Sequence, residues 1–298
     1  MAEQQKGILA GLAAYGMWGL FPLYFHQLQP TGPVEILLWR VVLTLLVVLL
    51  ALKLRTGWQW FSRLRSALLR RVVLAAVLLA ANWLVYIWAV ENNRVVEAAL
   101  GYFINPLFSV VLGVVVLHEK LRQIQKAAVG LGIVAVCVMT IAYGRPPIIS
   151  LFLAVTFGYY GYLKKRIDLT ALQSLAAETS VMLPFAVIGF GWMYTRGHPT
   201  LGHHGPLHSV LLLLVGIATA LPLTLFTTAA QRIPLSMLGL LQFITPVMQM
   251  MCAVLVFHEK VSASRWAGFF IVWCALALLI SDLVRQLRTP AEAVLEPV

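Results

Sequence analysis

The sequence predicts an all-α polytopic membrane protein, with ten transmembrane helices arranged as two inverted five-helix repeats. Three observations carry this expectation: an overwhelmingly apolar composition, basic residues gathered in alternate loops, and a segment at 94–120 that recurs at 234–260. Of the 298 residues, 61% are apolar and only 11% are charged, and the mean hydropathy is +0.88. A water-soluble chain of this length needs far more charge on its surface, so the solvent for most side chains must be lipid.

A membrane helix takes about 20 mostly apolar residues. On that template the spans fall at 7–26, 34–53, 72–91, 96–117, 125–143, 148–164, 171–194, 207–230, 235–257 and 265–283. The first apolar run is longer than a signal-peptide core and reads as a retained span. Cys137, Cys252 and Cys274 stand alone inside apolar runs, with no redox or metal-ligand spacing. The formal charge of +11 does not point to nucleic acid, because Lys and Arg occupy short loops between spans.

With the N-terminus taken as cytoplasmic, 16 of the 22 basic residues fall on the cytoplasmic side and 5 on the other. The remaining one, Arg40, lies inside the second span. Such an asymmetry predicts both termini in the cytoplasm.

Segment 94–120 superposes on 234–260 without a gap, with nine identities in 27 positions. The specific part is Phe103-Ile104, Pro106 and His118-Glu119-Lys120 on Phe243-Ile244, Pro246 and His258-Glu259-Lys260. Five spans per copy is an odd number, so the copies enter the membrane from opposite sides. The expected units are 7–143 and 148–283, followed by a cytoplasmic tail at 284–298. Inverted repeats of this kind place a binding site near the midplane, between halves that rock against each other.

The chain resembles the EamA-type permeases of the drug/metabolite transporter superfamily, and among them the RarD branch, whose members are named as chloramphenicol-sensitive proteins. The resemblance rests on Tyr15-Gly16-Met17-Trp18-Gly19-Leu20-Phe21-Pro22-Leu23-Tyr24-Phe25 and on Glu35 with Arg40. It continues in Asn105-Pro106 running to Glu119, in Phe157-Gly158-Tyr159-Tyr160-Gly161 before Lys165-Arg166, and in Glu178. It implies the ten-helix fold, a bacterial inner-membrane location, and export or exchange of small metabolites or drugs. The His-rich stretch 198–208 stands apart from that pattern.

Tyr102, Asn105 and Ser109 share one helical face, and the repeat alignment sends them to Gln242, Thr245 and Gln249, all polar. Such stripes in lipid need partners or water, so these six are expected to line a cavity, against the alternative of interhelical hydrogen bonding. Asn82, Trp83 and Tyr86 with Trp18 are expected to add an aromatic wall, against ordinary packing. Pro106 and Pro246 are expected to bend their helices and free a carbonyl.

Glu178 and, less deep in its span, Glu35 are candidates for proton coupling, against a helix-dipole or interfacial role. Arg40 is read as structural; it stands about 140° around the helix from Glu35, so its partner must lie elsewhere or in a water-filled cavity. Glu119 and Glu259 are read as structural, holding N–H groups at the start of the helix that follows each. His204 and His208 have a zinc-compatible spacing, but the surrounding Gly and Pro favour a solvated loop, and no metal is expected.

The leading expectation is a secondary transporter with no cofactor and no direct use of ATP, since no Gly-rich phosphate loop occurs. The rivals are an intramembrane enzyme, for which the sequence shows no clustered acid, base or metal set, and a channel or non-transporting structural subunit. The expected partners are a small-molecule substrate and membrane lipid, not nucleic acid, and a homodimer is compatible with this reading.

Overall fold

The computed structural model describes residues 2–55, 57, 60, 64, 66–92, 94–143, 146–197, 199–258 and 263–288. Among them the only regular structure is helical: α1 (Ala2–Gly19), α2 (Phe21–His26), α3 (Pro33–Arg55), α4 (Ser66–Glu91), α5 (Val95–Val111) and α6 (Gln123–Tyr143) in the first half of the chain. The second half supplies α7 (Ile148–Arg166), α8 (Ala171–Arg196), α9 (Gly205–Arg232), α10 (Leu235–Leu241), α11 (Ile244–Leu255) and α12 (Ala263–Arg288).

Eight of the described helical stretches are long and apolar enough to cross a membrane, and a shorter apolar run covers Trp266–Leu278. Helix α7 is not among the eight, although a span was expected at 148–164. Its Ser150, Thr156, Tyr160 and Lys164 are all buried, so neighbouring helices rather than lipid meet its polar groups. Apolarity is required only of the surface that lipid touches. The outward faces of the other helices satisfy this with exposed Leu46, Leu50, Val77, Ile133, Phe185, Ile188, Ile217 and Phe270.

Helix boundaries follow local chemistry. Helix α8 opens with a capping box in which Gln173 N–H donates to Thr170 Oγ1 at 3.4 Å and Thr170 N–H donates to Gln173 Oε1 at 3.1 Å. The first span is interrupted at Leu20, with Pro22 in the opening turn of α2. Helix α5 carries Pro106 internally and runs into a π-helical turn over Leu112–Val116. The matching span in the second half is broken at Gln242 and Phe243, between α10 and α11. Pro246 therefore lies in the first turn of α11, where its missing N–H costs nothing, and it does not bend a continuous helix. Both spans end on a histidine in the left-handed region, His118 at φ 54° and His258 at φ 51°, which are matching positions of the repeated segment. A non-glycine residue rarely takes that conformation, which makes these corners a shared and specific feature.

Helix α3 packs on α8 and α9, α1 on α9 and α11, α5 on α7 and α10, α4 on α7 and α8, and α6 on α12. Two of these contacts depend on glycine. A Cβ at Gly216 of α9 would sit 2.6 Å from the carbonyl carbon of Leu43, and one at Gly239 of α10 would sit 2.7 Å from the Pro106 carbonyl oxygen. Small residues let backbones approach where packing, not hydrophobicity, holds helices together in lipid.

Gly216→Val should therefore lower unfolding stability in detergent by about 1–3 kcal/mol or more, since the obstacle is backbone that cannot move aside. Gly191→Ala, at a helical position with open space around the added methyl, should leave stability unchanged or raise it by about 0.5–1 kcal/mol. Thermal unfolding of the two variants checks the contrast.

Candidate functional site: a cavity lined by both halves of the chain

A cavity of about 300 Å³ lies where α1, α2, α3, α4 and α5 meet α7, α9, α11 and the break that precedes α11. Of the residues expected from sequence to line a cavity, Trp18, Asn82, Trp83, Tyr86, Tyr102, Asn105, Gln242, Thr245 and Gln249 all do. Phe21, Pro22, Phe25, Arg40, Gly101, Leu153, Phe157 and Leu223 complete the wall. Ser109 is absent from it: its hydroxyl is buried and donates to Asn105 Oδ1 at 3.3 Å, one turn back along α5. A serine one turn from a buried amide satisfies itself locally, and Gly239 packs over it.

The lining groups divide by partner. Thr245 Oγ1 donates to the Tyr15 carbonyl at 3.0 Å, and Gln249 Nε2 donates to the Trp18 carbonyl at 3.2 Å, so both tie α11 to the end of α1. Asn82 Nδ2 donates to the Leu153 carbonyl and to Thr156 Oγ1, each at 2.9 Å, and joins α4 to α7. These three both line the cavity and hold helices together, so the two roles weighed for them coincide. The Gln242 amide and Asn105 Nδ2 make no protein hydrogen bond among the described residues, and they are left for whatever enters.

Arg40, read from sequence as structural and as needing a distant partner or a water-filled cavity, has both: it stands in the cavity wall and meets Thr219. Its Nε donates to Thr219 Oγ1 at 3.0 Å, and its guanidinium lies 4.2 Å from the Trp83 ring centroid and 5.9 Å from that of Phe25. Cation–π contact and one hydrogen bond hold a charge that lipid would not tolerate.

An aromatic cluster floors the cavity on one side. Trp18, Phe157 and Phe226 stand 5.4–5.7 Å apart, Tyr160 stacks on Phe226 at 5.9 Å, and Tyr15 meets Phe226 edge-on. Beyond it, Lys164 forms an ion pair with Glu178, with both side chains fully buried. Ser174 Oγ donates to Glu178 Oε1 at 2.7 Å, Tyr160 OH donates to Oε2 at 3.1 Å, and Lys164 Nζ also donates to Ser174 Oγ at 2.8 Å. Sequence reading places Lys164 among the loop charges and misses this pairing. A signal exists: Tyr160 and Lys164, then Ser174 and Glu178, are two i, i+4 pairs flanking a short turn.

Past the ion pair, contacts gather the starts of α1, α4 and α10 with the ends of α7 and α9. Arg232 Nε donates to Glu3 Oε2 at 2.8 Å, Arg71 Nη1 to the Arg166 carbonyl at 2.9 Å, and Lys165 Nζ to the Ile233 carbonyl at 2.6 Å. Glu119 accepts from Leu235 N–H at 2.7 Å and from Ser236 N–H at 2.8 Å. It thus holds the start of α10, in the other half of the chain, where the sequence pointed to the helix that follows Glu119. Glu259 lies outside the described residues.

At the opposite end Glu35 is buried and accepts from Thr200 N–H at 2.9 Å and from Trp39 Nε1 at 3.3 Å. It fastens the loop before α9 and does not line the cavity. His208 belongs to the first turn of α9 and is buried, its Nε2 within 2.8 Å of Thr31 Oγ1 and 3.2 Å of the Leu28 carbonyl. The expected solvated loop is thus a packed closure at His208, with His204 edge-on to it at 5.5 Å. Among the described residues no three His, Cys, Asp or Glu side chains gather as metal ligands.

A multi-pass helical membrane protein whose apolar bundle encloses a polar-lined cavity has the form of a membrane transporter. The chain belongs to the EamA-like transporter family, whose profile matches residues 5–141 and 146–281, and within it to the RarD branch. It is 50% identical to "Protein RarD" of Streptomyces exfoliatus, over 96% of this chain and 91% of that one. It is 37% identical to "Protein RarD" of Escherichia coli K12, over 96% and 97%. It is also 37% identical to "Uncharacterized transporter YojE" of Bacillus subtilis 168, over 96% and 97%. A crystal structure of a protein 15% identical superposes with a TM-score of 0.71, covering 94% of this chain and 98% of that one, a likeness of fold.

The Lys164–Glu178 pair yields a stability prediction. Lys164→Met alone should cost about 3–5 kcal/mol, because it strands a buried carboxylate, whereas Lys164→Met with Glu178→Leu should regain most of that loss. Denaturant unfolding in micelles measures both, and a double variant as unstable as the single one would mean the pair is not an isolated unit.

Proposed function

We propose that the chain is a secondary transporter that moves small metabolites or drugs across the bacterial inner membrane by alternating access. The observation that carries this reading is the origin of the cavity's polar wall. Tyr102 and Asn105 come from one half of the chain, and Gln242 and Thr245 stand at the matching positions of the other. A site made by equivalent elements of two halves can be released by either half, which is what alternating access needs.

The ten-span, inverted-repeat reading has further support in the packing. Counting α1 with α2, α5 with its π turn, and α10 with α11 as one span each gives five spans per half, at 7–143 and 148–283. Exchanging the halves sends the α1·α9 contact onto α7·α4, α3·α9 onto α8·α4, and α5·α7 onto α11·α1. The α3·α8, α5·α10 and α6·α12 contacts map onto themselves. The end that holds Glu3, Lys165, Arg166 and Arg232 is then cytoplasmic, and its ionic contacts with the aromatic floor close the cavity on that side.

Glu178 is the coupling candidate. Its carboxylate gathers Lys164, Ser174 and Tyr160, and Tyr160 links that group to the aromatic floor. Protonation would release Lys164 and loosen the joint between α7 and α8. Glu35, committed to the Thr200 backbone, is set aside for this role.

Transport in proteoliposomes tests the reading. Asn105→Leu and Gln242→Leu should each lower flux at least about tenfold; Gln242→Leu should leave the melting temperature within a few degrees, since its amide has no protein partner among the described residues, whereas Asn105→Leu also removes the acceptor of Ser109 and should cost about 1–3 kcal/mol. The Lys164→Met/Glu178→Leu double variant should retain substrate exchange yet lose the response to a pH gradient. Unaltered flux in the cavity variants would remove the site assignment, and an unaltered pH response would remove the coupling role.

A further inference from the structure

Charge is distributed very unevenly in this cavity. Among the residues that line it, Arg40 alone is ionisable to a permanent charge, and no Asp, Glu or Lys accompanies it. No salt bridge neutralises it among the described residues, and its two terminal nitrogens have no acceptor, because only Nε is bonded, to Thr219. The Nε bond and the Trp83 face anchor the guanidinium in the cavity wall, with its terminal N–H groups unbonded among the described residues. A fixed, unsatisfied guanidinium is the group best suited to two parallel hydrogen bonds with a carboxylate.

From this we infer that the cavity selects a small organic monoanion, a carboxylate on a flat apolar body, with the carboxylate on Arg40 and the body between the aromatic walls. The inference rests on the transport reading of the same cavity and names its substrate class. One guanidinium balances one negative charge; a phosphate dianion would leave net charge in a low-dielectric site, and an ammonium group would find no carboxylate. Trp18, Phe21, Phe25 and Phe157 supply the apolar faces, and Asn105 and Gln242 offer amides for a further polar substituent. The volume of about 300 Å³ is at the lower end of ordinary ligand pockets, which suits a small single-ring acid.

The test uses purified full-length protein in micelles and in proteoliposomes, with phenylacetate as the probe. Its comparators are phenylacetamide, phenethylamine, L-phenylalanine and phenyl phosphate, which share the ring and differ in charge. Phenylacetate should bind at least about tenfold more tightly than phenylacetamide, equivalent to about 1.4 kcal/mol. Arg40→Gln should erase that preference, and Arg40→Lys should keep only part of it, because an ammonium holds charge without the fork. Thr219→Val, which unhooks Nε but keeps the charge, should weaken phenylacetate several-fold and phenylacetamide hardly at all; this variant decides the matter if Arg40→Gln does not fold. Equal binding of acid and amide by the wild type, tighter binding of any other comparator, or no binding of the acid would overturn the inference. So would an Arg40→Gln protein of normal elution profile that keeps the preference. Transport of other solutes without preference for acids would sink the anion inference and leave the transport reading standing. Arg40-dependent binding of the acid with no flux of any solute would do the reverse.

Discussion

Inside a bilayer a polar group has no water to fall back on, and each one left unpaired costs several kcal/mol. Most of what is unusual in this molecule answers to that constraint. The lipid-facing sides of α3, α4, α8 and α9 are sheathed in Leu, Val, Ile and Phe, while the polar residues of the spans turn inward and find partners on another helix. Thr245, Gln249 and Asn82 reach main-chain carbonyls of α1 and α7, Thr44 reaches the Gly216 carbonyl, and Lys164 reaches Glu178. Among the groups without such a partner, the Arg40 fork, Asn105 Nδ2 and the Gln242 amide border one cavity, while His208 Nδ1 is left without a partner at the far end of the bundle.

Part of the irregular backbone adjoins the same place. Leu20 interrupts the first span, Pro106 and the π turn interrupt the fourth, and Gln242 with Phe243 separate α10 from α11. Broken helices are tolerated at membrane depth only where protein or a cavity meets the freed backbone; the breaks at Leu20 and at Gln242–Phe243 adjoin the cavity wall, and the π turn packs near Glu119 and Ser236. They also let Trp18, Asn105 and Gln242 approach one another, and the glycine at 239 allows the close crossing of α10 over α5. A polar pocket, helix interruptions and close backbone packing are thus consequences of one another.

The two ends of the bundle are closed by different chemistry. One end is held by charges: Glu119 on the start of α10, Lys165 and Arg71 on carbonyls, Arg232 on Glu3, and the buried Lys164–Glu178 pair behind an aromatic floor. The other is held by a carboxylate on a loop N–H, hydroxyls, and His208 packed on Thr31 and Leu28. Charge-assisted contacts are shorter and stronger than neutral ones, so the two ends of the bundle are held by bonds of different strength.

Composition and spacing along the chain are enough to define the class of structure, eight of the ten expected spans and most of the cavity's polar wall. Apolar runs and helical periodicity are local properties, and lipid penalises any arrangement that ignores them. The repeat alignment pairs Asn105 with Thr245 and Tyr102 with Gln242 without reference to any three-dimensional contact. Which group each polar side chain meets is a different matter, and it follows from how the helices assemble. Arg40 is legible as a charge needing a home, but only the approach of α4 and α9 supplies Trp83 and Thr219. Lys164 reads as one of three loop cations until the turn between α7 and α8 sets it against Glu178. Glu119 caps a helix in the other half of the chain, and Ser109 turns back on Asn105. A hydrogen bond or ion pair depends on positions within a few tenths of an ångström across helices distant in sequence, and periodicity along one helix carries no information about them.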